Sequence, residues 1–422
     1  MRRRTFLKHT GMITAGLSLA GRANVCGLRR TCLDTVLFGR NLAVPDNEPP
    51  VRSAALAAAG PGAIPASAPG GGPYANKLPK WKGFNLLDFF VPDSSDHRNV
   101  TTEEHFKWLR DWGFDFVRIP MAYPHYLAFD GDRDITAGEV NLVSPEMIEK
   151  IQGLVAMAHK YDMHVSLNLH RAPGYCINAG WHEPFNLWKD QAALDAFCWH
   201  WNMWAKLYKS TSPQKISFDL LNEPAMREDM NDQHSKSSPV PGDIYRKVAK
   251  AAAEAIRKEN PHALIIADGN GVGNLVTPEL VDLGIAQSCR GYFPGAISHY
   301  KAPWANKDPE HQPAPVWPGN VGNQELNRGM LENYYKPWIE LVQKGVGVHC
   351  GEAGCWKKTP HPVFIAWFTD VIDILSSHQI GLALWNFIGD FGILDSGRED
   401  VAYEDWHGHK LDRKLLELLR KY

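Results

Sequence analysis

The sequence predicts an α/β protein, a parallel (β/α)8 barrel. Short apolar runs alternate with longer amphipathic ones from Trp81 to the C-terminus, and the alternation counts to eight pairs. Runs such as Val165–Leu169 are close to continuously apolar, which suits a parallel sheet buried on both faces. No Gly-rich dinucleotide fingerprint or phosphate-cradling loop follows an early run, so an open doubly wound sheet is the weaker reading.

The elements follow in order. Trp81–Phe90 reads as a strand and Thr102–Trp112 as a helix, with Thr101 as its cap. Phe114–Met121 is strand-like. A helix then starts at Ser144-Pro145-Glu146, where Ser suits the cap and Pro the first turn; Met147, Ile151, Leu154, Val155 and Ala158 fall at helical spacing. His164–His170 and Gln191–Tyr208 form the third pair, Ile216–Leu221 and Asp243–Lys258 the fourth, and Leu264–Ala267 with a short helix at Pro278–Ala286 the fifth. The sixth pair is Gly295–Tyr300, as a strand, with the helix Leu331–Lys344. Val346–Gly351 with Val363–Ser376, then Leu382–Phe387 with Leu411–Leu419, complete the count.

The chain has 422 residues, a length suited to one such barrel with insertions. A formal charge of -2 gives no reason to expect nucleic acid or a membrane surface as partner. Residues 1–20 read as a signal for export by the twin-arginine route to the periplasm or beyond, because Arg3-Arg4-Thr5-Phe6-Leu7-Lys8 precedes a short, weakly apolar stretch. Residues 21–75 read as a Gly/Pro/Ala-rich tail or linker and 76–422 as the catalytic domain. Of the 7 cysteines, Cys26 and Cys32 lie in the leader or tail; Cys176, Cys198, Cys289, Cys350 and Cys355 lie in the body, where an oxidising compartment would permit a disulfide. None has zinc-ligand spacing. The 15 Trp residues lean toward a sugar binder, since indole faces carry the apolar side of a sugar ring, although each is as well suited to filling a core.

In a barrel of this kind chemistry sits at the C-terminal ends of the strands. Those ends carry Arg118, His170 with Arg171, Asn222 with Glu223, His299 with Tyr300, Glu352 and Trp385. Glu223 leaves the fourth strand and Glu352 the seventh, from which both can face a common cleft. Two carboxyl groups flanking one bond are what glycoside hydrolysis needs, one protonated to help the leaving oxygen depart and the other ionised. Either glutamate alone is a weak signal, since an Asn-Glu-Pro triplet arises by chance in roughly one chain in twenty. Both falling at strand exits is the informative observation.

The segments Val117-Arg118-Ile119-Pro120, Leu167-Asn168-Leu169-His170, Leu221-Asn222-Glu223-Pro224, Ile297-Ser298-His299-Tyr300, Gly351-Glu352-Ala353-Gly354 and Ala383-Leu384-Trp385-Asn386-Phe387 carry a resemblance to glycoside hydrolase family 5, the cellulase-type family of retaining barrel glycosidases. The resemblance covers about residues 80–400. It implies Glu223 as general acid/base, Glu352 as nucleophile and retention of the anomeric configuration. It further implies that Asn222 bonds the sugar 2-hydroxyl, that Arg118 keeps Glu352 ionised, and that Tyr300 donates to Glu352. His170 and His299 would position substrate or tune Glu223, and Trp385 would floor the subsite of the cleaved sugar. Two features depart from the family. Its sixth-strand His and Tyr are separated by one residue, whereas His299 and Tyr300 are adjacent, and adjacent strand residues face opposite ways. Ala353 stands where a bulky aromatic is common, and Gly389–Ser396 resembles the extended loop after the eighth strand of some members.

The leading expectation is an endo-acting β-glucanase, with a β-mannanase or exo-β-glucosidase as alternatives within the family. A catalytically silent carbohydrate-binding barrel is a second class, against which the intact glutamate pair argues. A metal-dependent hydrolase is a third, and His349, His361 and His378 lack ligand spacing for it. Tyr175, Trp181, Trp188, Trp304 and Trp317 fall in loops where they would stack on sugars or pack the loops. No cofactor or metal is needed, and the expected partner is a carbohydrate substrate bound by a monomer, with no nucleic acid and no membrane after signal removal.

Overall fold

The computed structural model describes residues 76–90, 100–129, 133–178, 182–229 and 232–422. The expected signal and tail, with Cys26 and Cys32, and Trp181 lie outside the described residues. Among the described residues, eight parallel strands form one closed sheet: β1 (Lys82–Asn85), β2 (Phe116–Ala122), β3 (His164–Ala172), β4 (Ile216–Asp219), β5 (Leu264–Asp268), β6 (Ala286–Gly291), β7 (Val348–Ala353) and β8 (Leu382–Leu384). Each pairs with its neighbours in sequence and β8 returns to β1, with Gly83 opposite Ala383. Closure leaves no unpaired barrel edge.

The outer helices are α1 (Glu103–Asp111), α2 (Pro145–Lys160), α3 (Gln191–Leu207), α4 (Gly242–Glu259), α5 (Arg328–Gln343), α6 (His361–Ser377) and α7 (Arg413–Lys421). Helix α2 starts as its sequence requires: the Ser144 hydroxyl accepts from the Met147 N–H at 3.4 Å, and Pro145 fills the first helical position. Its Ile148, Ile151, Leu154, Val155 and Ala158 are buried against the strands. The cap of α1 is Thr102 rather than the expected Thr101. Thr102 and His105 form a reciprocal capping box, while Thr101 turns away to donate twice to Asp88.

The floor of the barrel is apolar. Leu78, Trp81, Phe116, Leu264, Ile266, Ala286 and Ala383 form one buried cluster, and His164 stacks on Trp81 at 3.9 Å. Above this floor the inward positions become polar, and there the site begins.

The largest difference from the sequence reading lies at the sixth strand. The segment Gly295–Tyr300 is a short helical turn, Gly295–Ser298, and the strand is Ala286–Gly291. The helix expected at Pro278–Ala286 is a 3-10 segment, Pro278–Leu283, closed by Gly284 in the left-handed region at φ 63°. The physical reason is that β6 reads Ala-Gln-Ser-Cys-Arg-Gly and buries polar groups, which hides it from a search for apolar runs. Gln287 is satisfied inside by Thr277, taking its N–H at 2.9 Å and giving to its carbonyl at 2.8 Å.

Candidate active site

The upper ends of the strands converge on a buried network of two guanidiniums and four carboxylates. Arg118 of β2 donates from Nε to Asp219 at 2.7 Å, from Nη1 to Glu352 at 2.7 Å and Asn85 at 3.1 Å, and from Nη2 to Asn222 at 2.9 Å. Arg290 of β6 donates from Nε to Glu223 at 2.9 Å and from Nη1 to Asp268 at 3.0 Å. Its Nη2 reaches Asn222 at 3.0 Å, Glu352 at 3.3 Å and the second Asp268 oxygen. Both guanidiniums are buried, as are Asp219 and Asp268, which offset charges that would otherwise be costly away from water.

Strand geometry explains how the glutamates reach this network. Cys350 of β7 faces outward into the strand–helix core, so simple alternation would send Glu352 the same way. The pairing of β7 with β6 slips between Cys350 and Glu352, a bulge that turns the Glu352 carboxylate into the mouth opposite Arg290. Gly351 permits the close approach: a Cβ there would stand 2.6 Å from Ser288 Oγ and 3.4 Å from Arg290 Nη1. Glu223 follows β4 in the left-handed region, at φ 48°, unusual for a residue with a side chain. Its backbone is held on both sides. The N–H donates to Asp268 at 2.9 Å, and the carbonyl accepts from the Tyr175 hydroxyl at 2.6 Å.

The electrostatics separate the acids. Burial, and then the charge of Glu352, push the Glu223 carboxyl up to about 7, against the pull of Arg290. Burial, and then Asp268, likewise push Asp219 up to about 7, against Arg118. Burial also works against the charge of Asp268, but Arg290 and Arg118 outweigh it and hold that carboxyl below its ordinary value. The Tyr292 hydroxyl donates to Glu352 Oε2 at 3.1 Å and is raised well above the ordinary phenol range by burial and by that carboxylate, so it stays a donor.

The remaining residues singled out in the sequence take different places around this network. Asn222 is central: its Oδ1 accepts from both guanidiniums, which orients the amide, and its buried Nδ2 has no protein partner. His170 is buried beside Trp385, its ring 5.7 Å from the indole, and Phe90 packs against both. The His170 Nε2 pairs with Asn178 at 3.2 Å while Nδ1 has no partner, and burial pushes the ring down to about 4, so it is neutral. His299 stands behind Tyr292, with ring centres 5.1 Å apart, and burial pushes it down to about 4. Tyr300 does not reach Glu352. The expected hydroxyl on that carboxylate belongs to Tyr292, because the true strand ends at Gly291 rather than at Tyr300, where the expected strand Gly295–Tyr300 would end.

Arg290, Tyr292, Asp268, Asp219 and Asn85 were missed by sequence reasoning. One signal was present: Arg290-Gly291-Tyr292 has the one-residue separation of the family's sixth-strand pair, with Arg in place of His. Of the loop aromatics, Tyr175, Trp188 and Trp317 are buried packing residues. Trp304 is half-buried against Trp356, with ring centres 4.6 Å apart. Among the described residues the five cysteines are unpaired, no group of His, Cys, Asp and Glu is arranged to hold a metal ion, and no helix is long and apolar enough to cross a membrane.

Comparison with known proteins matches this architecture. The family model described as Cellulase (glycosyl hydrolase family 5) covers residues 73–390. Endoglucanase C of Acetivibrio thermocellus is 25% identical over 331 residues, spanning 72% of this chain and 89% of that protein. Cellodextrinase A of Ruminococcus flavefaciens is 24% identical over 311 residues, spanning 71% and 83%. A crystal structure of a glycoside hydrolase superposes with a TM-score of 0.71 at 37% identity, covering 81% of this chain and 99% of that one. With the barrel closed and the paired glutamates at its mouth, the chain belongs to glycoside hydrolase family 5, the cellulase family.

Proposed function

We propose that this glycoside hydrolase cleaves β-linked glucan chains or oligosaccharides by double displacement, with Glu352 as nucleophile, Glu223 as acid/base and the anomeric configuration retained. The observation that carries this reading is that one guanidinium edge, Nε and Nη2 of Arg290, touches both glutamates. Acceptors on adjacent N–H groups of one rigid fork are close neighbours. That spacing supports direct attack by Glu352, since enzymes that invert place a water between carboxyl groups about 6.5–9.5 Å apart. The endoglucanase and cellodextrinase relatives support glucan as the substrate class.

In the first step a Glu352 oxygen bonds to the anomeric carbon while the glycosidic bond breaks and Glu223 gives its proton to the leaving oxygen. In the second, Glu223 takes a proton from water, which displaces Glu352. The free Asn222 Nδ2 and His170 Nδ1 supply a donor and an acceptor for sugar hydroxyls, and Trp385 offers an indole face. The test is product release from β-glucans, cellodextrins, mannans and xylans by wild type and Glu352→Gln, with the first-formed anomer read by NMR. Glucan cleavage with retention that collapses in the variant is the expected result. Inversion would overturn the double displacement, and release from mannan alone would overturn the glucan assignment.

A further inference from the structure

Resting on the double-displacement reading, we infer that Arg290 is a positioning residue that bridges the two glutamates and accompanies the negative charge as it passes between them. Among the described residues Arg290 is the side chain that donates to both: Nε to Glu223 at 2.9 Å, Nη2 to Glu352 at 3.3 Å. Arg118 touches Glu352 but not Glu223, so it can hold only one end of the exchange. The site is shaped around Arg290. Asp268 takes both Nη groups, Ser288 accepts from Nη1 at 3.1 Å, and the Tyr335 hydroxyl holds the Arg290 carbonyl at 3.2 Å. Gly273 leaves room for its stem, since a Cβ there would come within 2.5 Å of Arg290 Cγ.

The charge balance of the reaction gives this bridge its use. Before the first step Glu352 is ionised and Glu223 carries a proton. As the Glu352–carbon bond forms, its charge is lost to the ester; as the proton leaves for the departing oxygen, the same charge appears on Glu223. The second step reverses both changes when water is split between the anomeric carbon and Glu223. The pair thus carries one negative charge throughout, and a fork contacting both acceptors stabilises either location without reorganising. A lysine, as a point charge on a flexible stem, would serve one location at a time.

Glu223 faces Arg290 on β6, Tyr292 just beyond it, Glu352 on β7, Asp268 on β5, Tyr175 from the loop after β3 and Tyr334 on α5. Arg290 is the cation of this set. Its loss therefore leaves Glu223 against like charges, and the proton is held to higher pH.

The experiment compares wild type, Arg290→Gln and Arg290→Lys in pH profiles of kcat/KM on a cellodextrin, with Glu352→Gln as control. Arg290→Gln is expected to lose about 100-fold or more in kcat/KM and to move the basic limb upward by about one pH unit. Arg290→Lys is expected to keep the limb near its original place while kcat falls about tenfold. An infrared difference titration of the Glu223 carboxyl, assigned with Glu223→Gln, reads the same shift without turnover. An unmoved limb and carboxyl titration in Arg290→Gln, or wild-type kcat in Arg290→Lys, would overturn this inference while an active wild type and inactive Glu352→Gln left the glycosidase reading standing. A wild type that cleaves none of the glucans, mannans or xylans overturns both.

Discussion

The Asp268 carboxylate accepts the backbone N–H of Glu223 at 2.9 Å, and so holds a strained residue by its main chain. A side-chain-bearing residue in the left-handed region costs about 1–3 kcal/mol unless its surroundings compel it. Asp268 compels it from β5 while Tyr175 grips the adjoining carbonyl, and the same Asp268 neutralises Arg290. Asp268→Ala should therefore unpair a backbone donor and strip a buried cation of its two-pronged partner, leaving it Glu223, Glu352 and Asn222, with an expected loss of about 3 kcal/mol. Asp268→Asn keeps an acceptor and should lose less. Thermal unfolding of the two variants checks the order; equal losses would show that the Glu223 N–H contact adds nothing.

The hydroxyl on Glu352 distinguishes two tyrosines. Tyr292 donates to Oε2 at 3.1 Å, whereas Tyr300 does not touch that carboxylate. Tyr292→Phe removes a bond to a charged group, worth about 1.5–3 kcal/mol, so kcat/KM should fall about 10- to 100-fold. Tyr300→Phe should stay within about twofold. Steady-state kinetics on one cellodextrin checks both, and the reverse order would place the donor on Tyr300.

Gly351 should tolerate no side chain. An alanine Cβ would press on Ser288 Oγ at 2.6 Å and crowd the guanidiniums, with Arg118 Nε at 3.7 Å. Such overpacking costs about 1–3 kcal/mol. Gly351→Ala is thus expected to lower the melting temperature by a few degrees and to cut activity by more than tenfold, because the displaced groups are the partners of Glu352. Wild-type activity in a folded Gly351→Ala enzyme would show that the network has slack.

The parts of this fold legible in the sequence were those whose burial is apolar. The helix opening at Ser144-Pro145 and strands such as Val165–Leu169 carry their periodicity openly, and the strands place Arg118 and His170 by simple counting. Strand β6 was illegible for the opposite reason. Its Gln287 and Arg290 are buried through partners on other strands and loops, and sequence does not show a polar residue's partner. Once that strand was misplaced, Tyr292 was hidden behind the nearby His299-Tyr300. The bulge at Cys350–Glu352 was invisible too, yet Glu352 could be picked out because its position at a strand exit did not depend on which face alternation assigned.

The protonation of Glu223 sets the direction of the pH dependence. Its carboxyl titrates up to about 7, held high by burial and by Glu352, and the proposed general acid works only while protonated. Below that pH the proton is present; as pH rises through about 7 it is lost, so kcat/KM should fall on the alkaline side. Asp219 also titrates up to about 7, so the limb could belong to either group. Asp219→Asn removes the second candidate while keeping an acceptor for Arg118, and its limb should stay in place. Glu223→Ala should abolish the limb on a substrate with a good leaving group, whose departure needs no proton, and added azide should restore turnover as the β-glycosyl azide. A limb that persists in Glu223→Ala but vanishes in Asp219→Asn would assign the titration to Asp219 and remove the pH argument for Glu223 as the acid.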